Sequence, residues 1–347
     1  MENTLSQITN EFLQSFFAFN PTSASSLGFP GFDSELPNFS KENIETQRNK
    51  YKKLLAQIQQ KTNSKNLDEK IDFELLDRKL KIQIYYLESQ QHFLINPAFY
   101  VSLASDSIFS LMMATHRPQN EQVDFILKRL EKFSHFFKQA KGNLEKPVAL
   151  WTQIALDEAP GAISYLKETV QNYLKINKVK SCETLIAQAC EALFDFIEFL
   201  KQIKNIQKDF AIGEDRFCFL LKTFHGLDTP AQELRKIGLQ QIDLLQQEIS
   251  DHASQMNGAV SWQALVDDIK KNHPSELELV NAYKTKVAEL KKFLIEKNIV
   301  TLPPQESLQI METPDFLKHS IPYAAYNPPG HVCSIRPGNL FCFTPTW

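Results

Sequence analysis

The sequence predicts a mainly α-helical protein whose last part is a short, proline-rich segment of β and irregular structure. Three observations predict it. Only 10 glycines occur in 347 residues, too few for the many turns of an all-β fold. Through most of the chain apolar residues recur at steps of three and four, which places them on one helical face. Eight of the 17 prolines then crowd between Pro303 and Pro345, and proline lacks the amide hydrogen a continuous helix needs. The expected organisation is a helical domain over 1–298 and a distinct segment over 299–347.

In chain order, Ala98 to Ala114 is the most apolar stretch. It is shorter than the roughly 18 residues of a membrane span and carries Asp106 and four serines, so it predicts a buried helix. Ser102, Asp106 and Ser110 lie four apart on it, a narrow polar stripe that faces either a water-filled cleft or, the favoured reading, the solvent edge of that helix. From Gln119 to Ala140 a second stripe runs through Val123, Ile126, Leu127, Leu130, Phe133, Phe137 and Ala140, with Pro118 where the first turn needs no amide. The pattern returns after Ser181, from Leu185 through Phe196 to Phe210. Thr229-Pro230-Ala231-Gln232 and Ser275-Glu276-Leu277-Glu278 read as capping boxes that open two further helices. The first leads to a stripe of Leu234, Gly238, Ile242, Leu245, Ile249, Ala253 and Met256. Beyond residue 298, Leu308 to Met311 and Leu340 to Thr344 read as short strands. The second ends the sequence with no polar tail, as an unpaired apolar edge, so self-association through this C-terminal strand is expected.

Composition narrows the function. A net charge of −3 with scattered lysines gives no footprint for nucleic acid or an anionic membrane. Five cysteines, an odd number without Cys-x-x-Cys spacing, point to reduced thiols. The opening residues Met1-Glu2-Asn3-Thr4 lack the basic start of a secretory leader. The expected location is therefore cytoplasmic. None of the eight histidines begins a His-Glu pair and no two lie four apart, so a helical zinc site of the His-Glu-x-x-His type is absent from the sequence. There is no Gly-x-Ser-x-Gly elbow and no phosphate-cradling glycine loop. His331 and Cys333 read as loop residues, Cys182 as a packed thiol, and Asp157-Glu158 and Asp267-Asp268 as solvated charges.

Several segments nevertheless resemble the motifs of family 885 of the domains of unknown function, large and mainly helical bacterial proteins that look like zinc-dependent metallopeptidases. They are Leu27-Gly28-Phe29 with Phe32-Asp33-Ser34-Glu35-Leu36-Pro37-Asn38-Phe39-Ser40, Asn96-Pro97-Ala98-Phe99-Tyr100, and Gln139-Ala140-Lys141-Gly142-Asn143-Leu144 with Pro147 and Trp151. Later come Met311-Glu312-Thr313-Pro314-Asp315-Phe316, Tyr323-Ala324-Ala325-Tyr326-Asn327-Pro328-Pro329-Gly330, and Gly338 to Pro345. The resemblance implies the helical, superhelical half of a gluzincin-like fold. It also implies that the family's His-Glu motif lies beyond the position matching Trp347, so that the chain is an interrupted, N-terminal portion. On that expectation this chain holds no catalytic residue, metal ligand or cofactor, and is inactive alone; zinc is implied only for the full-length family. Tyr323, Tyr326, Phe341, Phe343 and Thr344 are the expected wall of the substrate cleft, beside a sheet edge that binds peptides. The alternative is a non-catalytic helical binding or scaffold protein derived from that family.

Overall fold

The computed structural model describes residues 4–60, 66–114, 117–180, 182–257, 261–302, 308–313, 324–327 and 338–342. These residues form fifteen α-helices, two π-helical turns and three short strands, in two compact units: Met1–Phe210 with Glu289–Trp347, and Ala211–Ala288.

The first unit runs α1 (Thr4–Phe19), α2 (Pro21–Leu27), α3 (Lys41–Gln59) and α4 (Leu67–Tyr85). A π-turn at Tyr86–Gln90 leads to α5 (His92–Ile95) and α6 (Pro97–Met112). Then follow α7 (Gln119–Glu131), α8 (Phe133–Asn143) and α9 (Ala149–Ser164), with a second π-turn at Tyr165–Val170 before α10 (Gln171–Ile176) and α11 (Cys182–Gln202).

The apolar stretch singled out above becomes α6. Asn96 caps it, accepting from the Phe99 amide at 3.2 Å, and Pro97 fills the first turn. Tyr100, Val101, Ala104, Ile108 and Leu111 are buried as α6 packs against α9, α7 and α2. Rings of Phe39, Phe93, Phe99, Tyr100, Phe136 and Phe196 continue this core, with Phe39 in contact with four of the others.

Two stripes are broken in the structure, and at both breaks the chain makes long-range contacts. The 119–140 stripe is two helices meeting at Lys132, whose amide bonds back only three residues to the Arg129 carbonyl at 3.0 Å, while its ammonium meets the Ser34 carbonyl at 2.8 Å and Glu35 at 2.6 Å. The 181–210 stripe stops at Gln202. Beyond it Gln207 pairs with the loop before α9: its amide donates to Pro147 at 2.9 Å and its carbonyl accepts from Ala149 at 2.8 Å.

The second unit contains α12 (Glu214–His225), α13 (Ala231–Asn257) and α14 (Trp262–Ile269), and α15 (Glu276–Glu296) crosses the boundary. Gly226, left-handed at φ 69°, closes α12 by donating to Leu221 and Lys222 carbonyls. Ser275 and Glu278 form the capping box the sequence announces, with the carboxylate 3.2 Å from the Ser275 amide. The α13 stripe is not a core face. Among the described residues of 211–288 only Leu221 and Ala253 are buried, while Ile242, Leu245, Ile249 and Met256 are exposed.

The strands β1 (Leu308–Glu312), β2 (Ala324–Asn327) and β3 (Gly338–Cys342) form one mixed sheet in the order β1-β3-β2. β1 runs parallel to β3 and β2 antiparallel to it. β2 was not legible in the sequence. The expectation of an unpaired C-terminal edge is corrected over 338–342: β3 is the middle strand, hydrogen-bonded on both sides, and the outer strands are β1 and β2.

Candidate functional site

The motifs of the first 151 residues converge, and most of their polar groups are spent on holding helices together. Asp33 is buried and pairs with Arg117 at 2.7 Å. Next to them Arg129 is wholly buried, donating to the Ser107 carbonyl at 2.5 Å and Ser25 Oγ at 2.6 Å. Burial pulls its pKa down to about 10, the charges of Asp33 and Glu35 resist, and Arg117 adds to the fall. The guanidinium therefore stays protonated at neutral pH. Glu35 is held below the usual carboxylate range chiefly by its bond to Lys132.

A second lock joins three separate motifs. Asn143 Nδ2 donates to the Phe39 carbonyl at 2.9 Å and to the Tyr100 hydroxyl at 3.1 Å, and that hydroxyl donates to the Phe93 carbonyl at 2.6 Å. Gln139 accepts from the Phe39 amide and donates to Asn38 Oδ1 at 2.8 Å. Burial raises the Tyr100 phenol well above its ordinary value, so it remains a neutral donor. These groups have a structural task, with Asn143 and Tyr100 bonded in the interior and Gln139 and Asn38 bonded at the surface.

A further polar cluster lies outside these locks, on the facing sides of α6 and α9. Ser102 donates to Glu158 Oε2 at 3.1 Å. Glu158 is only 6% exposed, which corrects its reading as a solvated charge: position 158 of α9 faces α6, while the neighbouring Asp157 accepts from Gln153 along its own helix at 2.8 Å. Asp106, one turn beyond Ser102, keeps contact with solvent. The protein packed around it, and then the charge of Glu158, raise its carboxyl to about 6. Tyr165 donates to Met112 Sδ at 3.2 Å, and burial followed by the Asp106 charge pushes its phenol up. A solvent-accessible carboxyl that titrates near neutrality can attract a cationic group or exchange a proton. The four-residue spacing of Ser102, Asp106 and Ser110 marked this face; nothing in the sequence marked Glu158 as its partner.

Of the expected cleft residues, Tyr323, Phe343 and Thr344 lie outside the described residues. Tyr326 is on the outer strand β2, 59% exposed, and pairs with Leu340. Phe341 is on the central strand, between Met311 and Ala325 in register. The strand pairing therefore brings Tyr326 and Phe341 onto neighbouring strands. Among the described residues no three His, Cys, Asp or Glu side chains are grouped to hold a metal ion. Nor is any described helix long and apolar enough to cross a membrane.

The many-helix fold, the short mixed sheet and the interlocked motifs define a mainly helical bacterial protein class. The chain belongs to DUF885, a family of bacterial proteins of unknown function, whose profile matches residues 21–346. Two solved structures are similar in fold. One is described as a candidate lipoprotein of unknown function from Shewanella oneidensis, at 19% identity and a TM-score of 0.70, covering 98% of this chain and 64% of that one. The other is described as a candidate lipoprotein from Colwellia psychrerythraea, at 16% identity and a TM-score of 0.68, covering 99% of this chain and 68% of that one. The chain thus spans about two thirds of the length of either structure. No match was found among curated proteins.

Proposed function

We propose that this chain supplies the helical, cleft-forming, N-terminal portion of a zinc-metallopeptidase-like protein with a gluzincin-like fold, and that it binds extended peptides without cleaving them. The reading joins the motif resemblance to one observation: a small mixed sheet whose outer strands β1 and β2 each have one hydrogen-bonded neighbour among the described residues. Such strands can accept an extended peptide as an additional strand, with main-chain bonds supplying affinity. Tyr326 on β2 would offer an aromatic face to it, and Tyr323, Phe341, Phe343 and Thr344 complete the proposed wall. The cytoplasm is the proposed compartment, with Cys182, Cys190 and Cys218 as free thiols.

The test combines three measurements on the purified chain. A mixture of unstructured peptides should slow amide exchange in 308–312 or 324–327. Zinc titration should reveal no tight stoichiometric site, and peptides should remain intact with zinc present. Chelator-sensitive cleavage would overturn the reading, as would peptides that leave both outer strands unprotected.

A second reading, a non-catalytic helical binding or scaffold protein, is favoured by the exposed apolar stripe of α13. Under it, peptide protection would map to 231–257 instead of the sheet.

A further inference from the structure

Helix α13 turns to water an apolar face that its neighbours within the unit leave open. Gly238, Ile242, Leu245 and Ile249 follow one another at steps of four, three and four. On a helix those positions share an arc of about 60°, while Glu233, Lys236, Asp243 and Asp251 fall on the other side. Such a division is the mark of a helix with one face out of water. Yet Ile242, Leu245 and Ile249 stay about half exposed, and Gly238 is exposed as well. Within the unit α12 and α14 touch α13, but among its described residues Ala253 alone is buried. A side chain added at Gly238 would meet no atom within 4 Å, so the face has a notch at one end. Contiguous apolar surface of this kind marks a place where another surface docks.

Chain length indicates which surface that is. The two solved structures keep the fold over 98% and 99% of this chain, while this chain covers only 64% and 68% of theirs. So complete a match cannot omit a 27-residue helix, and each relative therefore carries a counterpart of α13 together with about a third more polypeptide. Residues 1–210 already hold a closed core, whereas the described residues of 211–288 enclose only Leu221 and Ala253. The added polypeptide has its apolar surface to cover here.

A second copy of this chain meets the stripe poorly. Antiparallel pairing about its midpoint, between Ile242 and Leu245, sets Gly238 beside Ile249 but Arg235 beside His252. Parallel pairing sets Arg235 against itself. Either way a guanidinium on the same side of the helix enters the contact without a carboxylate, which is unfavourable.

We propose that the α13 face of Gly238, Ile242, Leu245 and Ile249 seats the polypeptide third by which its relatives of the same fold exceed this chain, and that this third meets it with apolar side chains, one of them in the notch at Gly238. Fold and chain length carry this, whether or not β1 and β2 bind peptides.

Two intact proteins test it: this chain, and the Shewanella oneidensis protein, which carries the additional third. Native-state hydrogen exchange should be fast over 238–249 in this chain at any concentration. It should be about a hundredfold slower over the matching helix of the Shewanella oneidensis protein, with the helices matching α6 slow in both. Ile242→Asp with Leu245→Asp should leave the thermal midpoint of this chain within about 2 °C, because the face is open. Aspartate at the two matching positions of the Shewanella oneidensis protein should speed exchange in its additional third as well as in the helix. Release of the helix alone overturns the assignment, as does a matching helix no better protected than α13. The unmodified pair decides this even if the aspartate variant fails to fold. Protection of 238–249 in this chain by itself is also contrary: if it grows with concentration the occupant is a second copy, and if it persists at every dilution the cover comes from within the chain. Protection of 238–249 by unstructured peptides overturns the assignment in favour of the scaffold reading. Amides of 308–312 and 324–327 report on the peptide edge separately in the same data.

Discussion

Asp33 and Asp106 are carboxylates of one chain with opposite tasks, and their surroundings decide which is which. Asp33 is sealed beside Arg117 and Arg129, so removing it strands buried positive charge. Breaking a buried pair typically costs about 3–5 kcal/mol. Asp33→Ala should accordingly lose about 3 kcal/mol in urea unfolding, while an exposed pair such as Lys128–Asp124 should yield less than about 1 kcal/mol when removed. Asp106 behaves in the other direction. Its carboxyl pKa is raised in the folded chain, to about 6 from an ordinary 3.8, so the native state binds that proton more tightly than the unfolded one. Its stabilising contribution is whole below about pH 4 and is lost as pH climbs through 6. Asp106→Asn removes the dependence. Thermal midpoints of variant and parent should diverge in the variant's favour between pH 4 and pH 7, then stay apart by a constant amount. A gap that does not change with pH would contradict the assignment. Of this pair's setting, the sequence displayed the i, i+4 serines flanking Asp106. Glu158 stayed hidden because a helix's buried face is set by what packs on it, and nothing local to Asp157-Glu158 reveals that.

Helix starts were legible where a side chain satisfies an orphan amide within three residues. Ser275 with Glu278 is one instance; the Asn96 cap of α6 was not read from the sequence, where Asn96 entered only as part of a motif that resemblance singled out. Asn96→Ala should cost about 1 kcal/mol through loss of the α6 cap, read as a lowered thermal midpoint with unchanged far-ultraviolet dichroism. Helix ends and breaks were less legible. Around the gap at Lys132 and beyond the end of α11 the contacts are distant in sequence, Lys132 meeting Ser34 and Glu35 nearly a hundred positions away and Gln207 pairing beside Val148. The π-turns left no periodic trace, because one inserted residue shifts phase without altering composition. β2 was missed for a related reason: Ala324–Asn327 is four residues long and holds no β-branched side chain, so only its neighbour β3 makes it a strand.

Across the chain, burial is distributed unevenly. Nearly all fully enclosed side chains lie in residues 1–210, whereas the described residues of 211–288 enclose Leu221 and Ala253. Local opening follows buried contact. Amides of α6, α8 and α11 should therefore exchange only by global unfolding, and those of α13 should exchange orders of magnitude sooner despite its 27-residue length. Equal protection of α11 and α13 in native-state hydrogen exchange would show that the long helix is covered in solution. A mainly helical architecture was readable from periodicity, since that pattern records a face that must leave water. Periodicity could not say whether the face of Ile242 and Leu245 actually does so. That depends on tertiary neighbours.

The sealed guanidinium of Arg129 also sets a limit on trimming the protein from its front. Its contacts come from Ser25 and Ser107, and its compensating charges from Asp33 and Glu35. A derivative starting at Ser40 would keep α7 and the Ser107 carbonyl but leave that buried cation without the Ser25 hydroxyl or the Asp33 and Glu35 charges. Expression boundaries and tag-removal sites therefore belong ahead of α2, and a protease nick at the 28–38 loop should unravel the neighbouring helices together.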